Sequence, residues 1–193
     1  GTTVMALDEI STGLDSATTF SISQHLCEAC RVQKSTYVIS LLQPPPETVN
    51  LFDDIILFAE GRLIYHGPRE NILDFFLTLG FSCPVRKDMA SFLQEVTTVV
   101  GQHEYASPEL RARKGLPAAD AASPLLPSSA TAMLVTMEEV ESAFWKSPVG
   151  QALQIDFKAA VSAKASEDSS NLPQMLSGAG IATHEHATSF LQQ

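Results

Sequence analysis

The chain has 193 residues, 45% of them apolar, and 22 acidic against 12 basic side chains give it a formal charge of −10. That length suffices for one domain with a core, or a domain and a tail. The acidic excess argues against nucleic acid and anionic lipid as direct partners, because both attract Lys- and Arg-rich surfaces.

Three cysteines make no disulfide framework, which fits a reducing compartment. No apolar run reaches the roughly 18 residues needed to span a bilayer. The N-terminus lacks the basic stretch of a signal peptide and reads as a buried strand almost at once. With Gly rather than Met at position 1, the expectation is that sequence is missing upstream.

Residues 4–7 form a short continuous apolar run, the pattern of a strand buried on both faces. Residues 16–33 follow with Ile22, Leu26, Ala29 and Cys30 at helical spacing, and Asp15 or Ser16 is placed to cap that helix. Residues 37–42 read as a second buried strand. A strand–helix–strand unit of this size predicts parallel strands joined by a right-handed crossover. Residues 54–58 and 62–65, broken at Glu60-Gly61, predict a β-hairpin that stops at Gly67-Pro68. A helix over 71–79 presents Ile72, Phe75, Phe76 and Leu79 inward, and a further helix covers 90–96. No internal repeat is visible.

Texture changes near residue 101. Pro, Ala and Ser cluster over 101–135, the composition of a mobile linker or insertion. Helical patterns return at 136–146 and 149–165, and Ser, Asp and Gly loosen the chain around 166–180. The organisation expected is therefore 1–100, a linker over 101–135, and a helical segment with a tail over 136–193. Cys27 and Cys30 share the C-x-x-C spacing but lack a second pair, and they read as two core positions on a helix. His184-Glu185-His186, with His103 and Glu104 distant in sequence, reads as solvated tail, since residues two apart do not share a helix face. Trp145 and the five Met read as packing.

The sharpest local feature is Leu7-Asp8-Glu9. Ligands of open α/β sheets bind beyond the carboxyl ends of the strands. An apolar strand leading into an acidic pair is how P-loop NTPases hold Mg²⁺ and position an attacking water. A strand ending in two acids at a solvated loop is also common on its own.

The full run Val4-Met5-Ala6-Leu7-Asp8-Glu9-Ile10-Ser11-Thr12-Gly13-Leu14-Asp15-Ser16 resembles the Walker B motif and D-loop of the ATP-binding cassette family. The resemblance implies Asp8 as the Walker B aspartate, holding Mg²⁺ through water, and Glu9 as the catalytic carboxylate. It implies Thr12, Gly13, Leu14 and Asp15 as the D-loop that crosses to a partner cassette. Gly13 also fits physically, because a tight loop near another backbone favours a residue without Cβ.

Downstream, Ser40-Leu41-Leu42-Gln43-Pro44 aligns with the switch region. Leu51-Phe52-Asp53-Asp54-Ile55-Ile56-Leu57, Glu60-Gly61-Arg62, Tyr65-His66-Gly67-Pro68, Phe75-Phe76, Gly80-Phe81, Cys83-Pro84 and Ala90-Ser91-Phe92-Leu93-Gln94-Glu95-Val96 follow in order. This series resembles the G subfamily of cassette transporters, in particular the first cassette of full-size pleiotropic drug resistance pumps. The resemblance is close over 1–98 and faint over 136–155. The fold it implies is α/β, a partial P-loop NTPase (RecA-like) cassette with parallel strands, a β-hairpin and C-terminal helices.

Two departures matter. The switch position, where most cassettes carry His, holds Leu42, which neither donates nor accepts a hydrogen bond. That puts fast hydrolysis at this site in doubt although Glu9 is retained; Gln43 remains as a polar neighbour. There is also no G-x-x-x-x-G-K-[ST] loop to cradle phosphates, and no signature motif upstream of Asp8. Leu176-Ser177-Gly178-Ala179-Gly180 imitates a signature on the wrong side of Walker B and reads as coincidence.

The resemblance thus implies ATP and Mg²⁺ as cofactors in an intact parent. Its partners there are a second cassette and membrane domains at the cytoplasmic face of a membrane, and its activity is hydrolysis coupled to export. The fragment alone is expected to be inactive and, with an open sheet edge, poorly soluble or oligomeric. The alternative is a non-catalytic module docking on a partner cassette. A soluble chromosome-maintenance or translation ATPase fits the hairpin at Gly67-Pro68 and the low basic content less well.

Overall fold

The computed structural model describes residues 4–42, 44–116 and 132–175. The chain divides into two compact units, one up to Gln151 and one from Ala152 onward.

The first unit opens with β1 (Val4–Leu7), α1 (Ser16–Gln33) and β2 (Thr36–Ile39). The strands pair in parallel from Val4 opposite Thr36 to Leu7 opposite Ile39. Asp15 caps α1, its carboxylate accepting the Thr18 amide at 2.7 Å. Lys34 ends it in the left-handed region with φ of 50°. That amide and the next return to the Arg31 and Cys30 carbonyls, an αL-type helix stop.

Two expectations are corrected here. Both strands were read as buried, yet Val4 is 68% and Val38 45% exposed. Four-residue strands in a two-stranded sheet have too little neighbouring structure to cover both faces. The inward face of α1 is also rotated from the apolar positions: Thr19 and Ser23 are buried, whereas Ile22 stands 37% exposed. Leu26, Ala29 and Cys30 are half-buried. The next element is α2 (Pro46–Val49), a one-turn helix with Pro in its first turn. It packs against α1 and buries Thr48 and Val49. Small hydroxyl side chains allow that approach, and apolar periodicity does not register them.

The densest packing lies further along. β3 (Asp54–Ala59) and β4 (Arg62–Pro68) form an antiparallel hairpin. Its two turn residues, Glu60 and Gly61, both take positive φ, 51° and 71°. That is the backbone of a twisted two-residue turn, where a residue lacking Cβ is least strained. After a 3-10 turn at Arg69–Asn71 come α3 (Ile72–Thr78), α4 (Met89–Glu95), α5 (Val99–Tyr105), α6 (Pro108–Arg113), α7 (Met137–Lys146) and α8 (Pro148–Met175). Asp88, Thr98, Ser107 and Thr136 cap α4 to α7 with side-chain oxygens, and Thr136 with Glu139 completes a capping box.

Aromatic rings link these elements. Tyr65, Phe75 and Phe144 stack mutually, and Phe76, Phe92 and Tyr105 continue the chain. Ile64, Tyr65, Phe92, Val140 and Phe144 are wholly buried.

Residues 101–116, which composition assigns to a linker, are mostly helical here. Pro108 occupies the first turn of α6 behind its Ser107 cap, a position where Pro needs no amide hydrogen. Gln102 then pins the returning chain: its Oε1 accepts the Leu134 and Val135 amides at 2.8 and 3.0 Å, and its Nε2 donates to the Val135 carbonyl at 2.8 Å. α7 packs on β4 and is tied to it by Arg62, 2.7 Å from Glu141. It is therefore part of the first unit's core. In the second unit the described residues are helical as far as Met175, past the predicted loosening at 166. Among the described residues no helix is long and apolar enough to cross a membrane.

Candidate functional site

The carboxyl edge of the β1–β2 pair carries the acidic residues. β1 ends at Leu7 and Asp8 and Glu9 follow directly, both exposed. The Ser40 amide extends the ladder one step, donating to the Leu7 carbonyl at 2.9 Å. The Ser40 hydroxyl donates to Asp8 Oδ1 at 2.5 Å and accepts the Glu9 amide at 2.9 Å. Glu9 has φ of 46°. A non-glycine residue in that region costs about 1–3 kcal/mol and persists only where surrounding bonds over-determine it.

Beside the Ser40 bond, local bonds hold Glu9. The Thr12 hydroxyl donates to Glu9 Oε2 at 3.2 Å, and the Thr12 amide returns to the Glu9 carbonyl at 3.1 Å. The Leu14 amide donates to the Ser11 carbonyl at 3.1 Å. Gly13 takes φ of 79° with open space where a Cβ would stand, so backbone conformation rather than crowding selects glycine there. Leu14 is 42% exposed. The Thr18 amide holds the Asp15 carboxyl below its usual value, because a hydrogen bond to the charged form favours it.

The structure thus gathers Asp8, Glu9 and Thr12 at one edge, with Asp15 closing the same loop. Leu42, three residues beyond the end of β2, is 65% exposed. Gln43 lies outside the described residues, as do His184, Glu185, His186 and residues 176–180. His103 is buried on α5, its Nε2 3.2 Å from the Ala132 carbonyl. Sequence reasoning did not single out Ser40 for a role of its own. The signal was available in the parallel register, since the residue after β2 must face the residue after β1.

Cys27 and Cys30 are free and half-buried. They line a cavity of about 260 Å³ with Leu26, Tyr37, Ile39 and Phe52. Burial raises the Cys27 thiol above its ordinary value, the behaviour of an unreactive packed cysteine.

Hard oxygen donors suit Mg²⁺, which is bound through one or two carboxylates plus water and phosphate oxygens rather than by an all-protein cage. Asp8 fits that chemistry: Ser40 engages one carboxylate oxygen, and the group has a second. Among the described residues no cluster of three or more His, Cys, Asp and Glu forms a full cage. The phosphates of a nucleotide fit less completely, because the sequence contains no Gly-rich Lys loop to hold them.

The described residues up to Gln151 form an α/β unit whose parallel strand pair carries two exposed acids at its carboxyl edge. No protein-family model matches the chain. Individual relatives do. The chain is 61% identical over 99 residues to the ABC transporter G family member 45 of Oryza sativa subsp. japonica, covering 51% of this chain and 7% of that protein. It is 57% identical over 101 residues to pleiotropic drug resistance protein 1 of Nicotiana tabacum, covering 52% and 7%. It is 52% identical over 114 residues to the ABC transporter G family member 32 of Arabidopsis thaliana, covering 59% and 8%. About half of this chain is thus homologous to proteins of the ABC transporter G family, pleiotropic drug resistance proteins among them. The matched segment spans less than a tenth of those relatives' length.

Proposed function

We propose that residues 1–100 are the C-terminal half of a nucleotide-binding domain of the P-loop NTPase fold, from an ATP-driven exporter of the pleiotropic drug resistance type. The observation that carries this reading is the Asp8–Glu9 pair, standing at the carboxyl edge of a parallel strand pair. It stands in a chain 61% identical over 99 residues to a G-family transporter.

Bound Mg²⁺ supplies neutralisation of charge on the transferred phosphoryl group. Asp8 would hold the cation through water. Glu9 would accept a hydrogen bond from the water beside the γ-phosphate and so orient it. Thr12, Gly13, Leu14 and Asp15 present a loop to a second cassette, and the first and second cassettes together drive membrane domains at the cytoplasmic face of a membrane. Leu42 offers no hydrogen bond where a switch residue would act, which argues against fast hydrolysis at this site, with Gln43 the neighbouring polar group. The 193-residue chain alone does not hydrolyse ATP, since the phosphate-cradling loop is not in its sequence.

The test is the coding sequence immediately upstream of Gly1. The expected result is an in-frame phosphate-binding loop and signature motif. A start codon with no cassette before it overturns the transporter reading and favours a docking module. ATP turnover by the purified chain, abolished by Glu9→Gln, overturns the expectation of inactivity.

A further inference from the structure

We propose that Ser40 is the positioning residue of the Asp8–Glu9 pair, an inference that rests on the functional reading above. Ladder register brings it there: Leu7 faces Ile39, and the Ser40 amide on the Leu7 carbonyl carries the pairing one step further. A hydroxyl offers one donor and two acceptor sites. Ser40 uses its donor on Asp8 Oδ1 and an acceptor site on the Glu9 amide, at 2.5 and 2.9 Å.

The two bonds do different things. The first fixes the rotamer of Asp8 and leaves its other oxygen for a cation. The second satisfies the Glu9 amide beyond the end of the strand ladder, and so holds the backbone at the residue whose positive φ turns the chain into the following loop. Thr12 then restrains that side chain through Oε2. One hydroxyl, on the residue that follows β2, therefore sets the attitude of both acids, while Leu42 two residues on has no hydrogen-bonding side-chain atom. Alanine removes both bonds. Threonine keeps the hydroxyl and suits a strand end.

The experiment uses the ¹⁵N-labelled chain, with Ser40→Ala and Ser40→Thr, and reads the exchange rate of the Glu9 amide and the Mn²⁺-induced broadening of Asp8 and Glu9 resonances. Ser40→Ala is expected to speed exchange at Glu9 and to weaken the Mn²⁺ effect, each about five- to tenfold; Ser40→Thr is expected to restore both with the same far-UV spectrum. An alanine variant with unchanged exchange and unchanged Mn²⁺ response overturns the positioning role. A wild-type chain with no Mn²⁺ effect at Asp8, but with exchange at Glu9 that rises in the alanine variant, upholds the Ser40 bridge and overturns the metal role of Asp8 instead.

Discussion

The β1–α1–β2 region and the region from β3 to α7 contrast in how their apolar residues are used. In the first, Val4, Met5 and Val38 are exposed, and α1 buries Thr19 and Ser23. In the second, Tyr65, Phe76, Phe92, Val140 and Phe144 are each at most 1% exposed. The acidic site sits in the sparsely packed region and is held by hydrogen bonds among Ser40, Glu9 and Thr12. The densely packed region carries none of those residues. Dense packing and the acidic edge are thus separated, and substitutions should fall into two groups.

The largest effect is expected in the aromatic cluster. Phe144→Ala opens a cavity against Tyr65, Phe75 and Trp145 and should cost about 3–5 kcal/mol, measured by urea unfolding. Ile22→Ala, on a residue 37% exposed, should cost well under half of that; equal losses would dissolve the contrast. Gln102→Leu comes next. It leaves the Leu134 amide and both polar groups of Val135 without their buried partner, at about 1–3 kcal/mol. Amide exchange should rise first at Leu134 and Val135, and an unchanged rate there would show that Gln102 is not the clasp.

What was legible in the sequence follows the same division. Glu60-Gly61 marked the hairpin because a two-residue turn needs positive φ, and Leu7-Asp8-Glu9 marked a strand end because an apolar run there gives way to two charged residues. The cap of α1 was legible as Asp15 or Ser16, and the Thr18 amide on the Asp15 carboxylate decides between them. The face of α1 was not, because its buried positions are the small hydroxyl residues Thr19 and Ser23, which apolar periodicity does not report. Residues 101–116 were not legible either. Pro and Ser are breakers in isolation, and only the completed helix shows Ser107 as its cap and Pro108 in its first turn. Ser40 required the register between two strands that lie 32 residues apart at the bond to Asp8.

A third test titrates the dense region directly. Burial pushes Tyr65 and Tyr105 up to about 12. Both phenols therefore stay protonated in the folded state after the unfolded chain has begun to ionise near 10. Their contribution is complete below pH about 10 and is lost as pH rises through about 12. Phenolate absorbance should show two late-titrating groups, and unfolding should accompany them. Tyrosines that all ionise near pH 10 with the fold intact would mean that the cluster is open to water.

The smallest effect belongs to the helix caps, and it falls on both regions. Asp15 and Asp88 are held below their ordinary values chiefly by the Thr18 and Ser91 amides, and Glu139 by the Thr136 amide. A lowered folded value means stability that is present above the unfolded carboxylate range and lost as pH falls through the folded one. Helicity should therefore hold down to pH about 4 and decline below it. The decline separates the regions. Thr136 still caps α7 through its hydroxyl, and Phe144 and Val140 still anchor that helix in the core. α1 has only Asp15 at its N-terminus and a thinly buried face. Amide exchange in acid should accordingly rise in α1 before α7, and the reverse order would show that the region bearing the acidic site is the more firmly packed of the two.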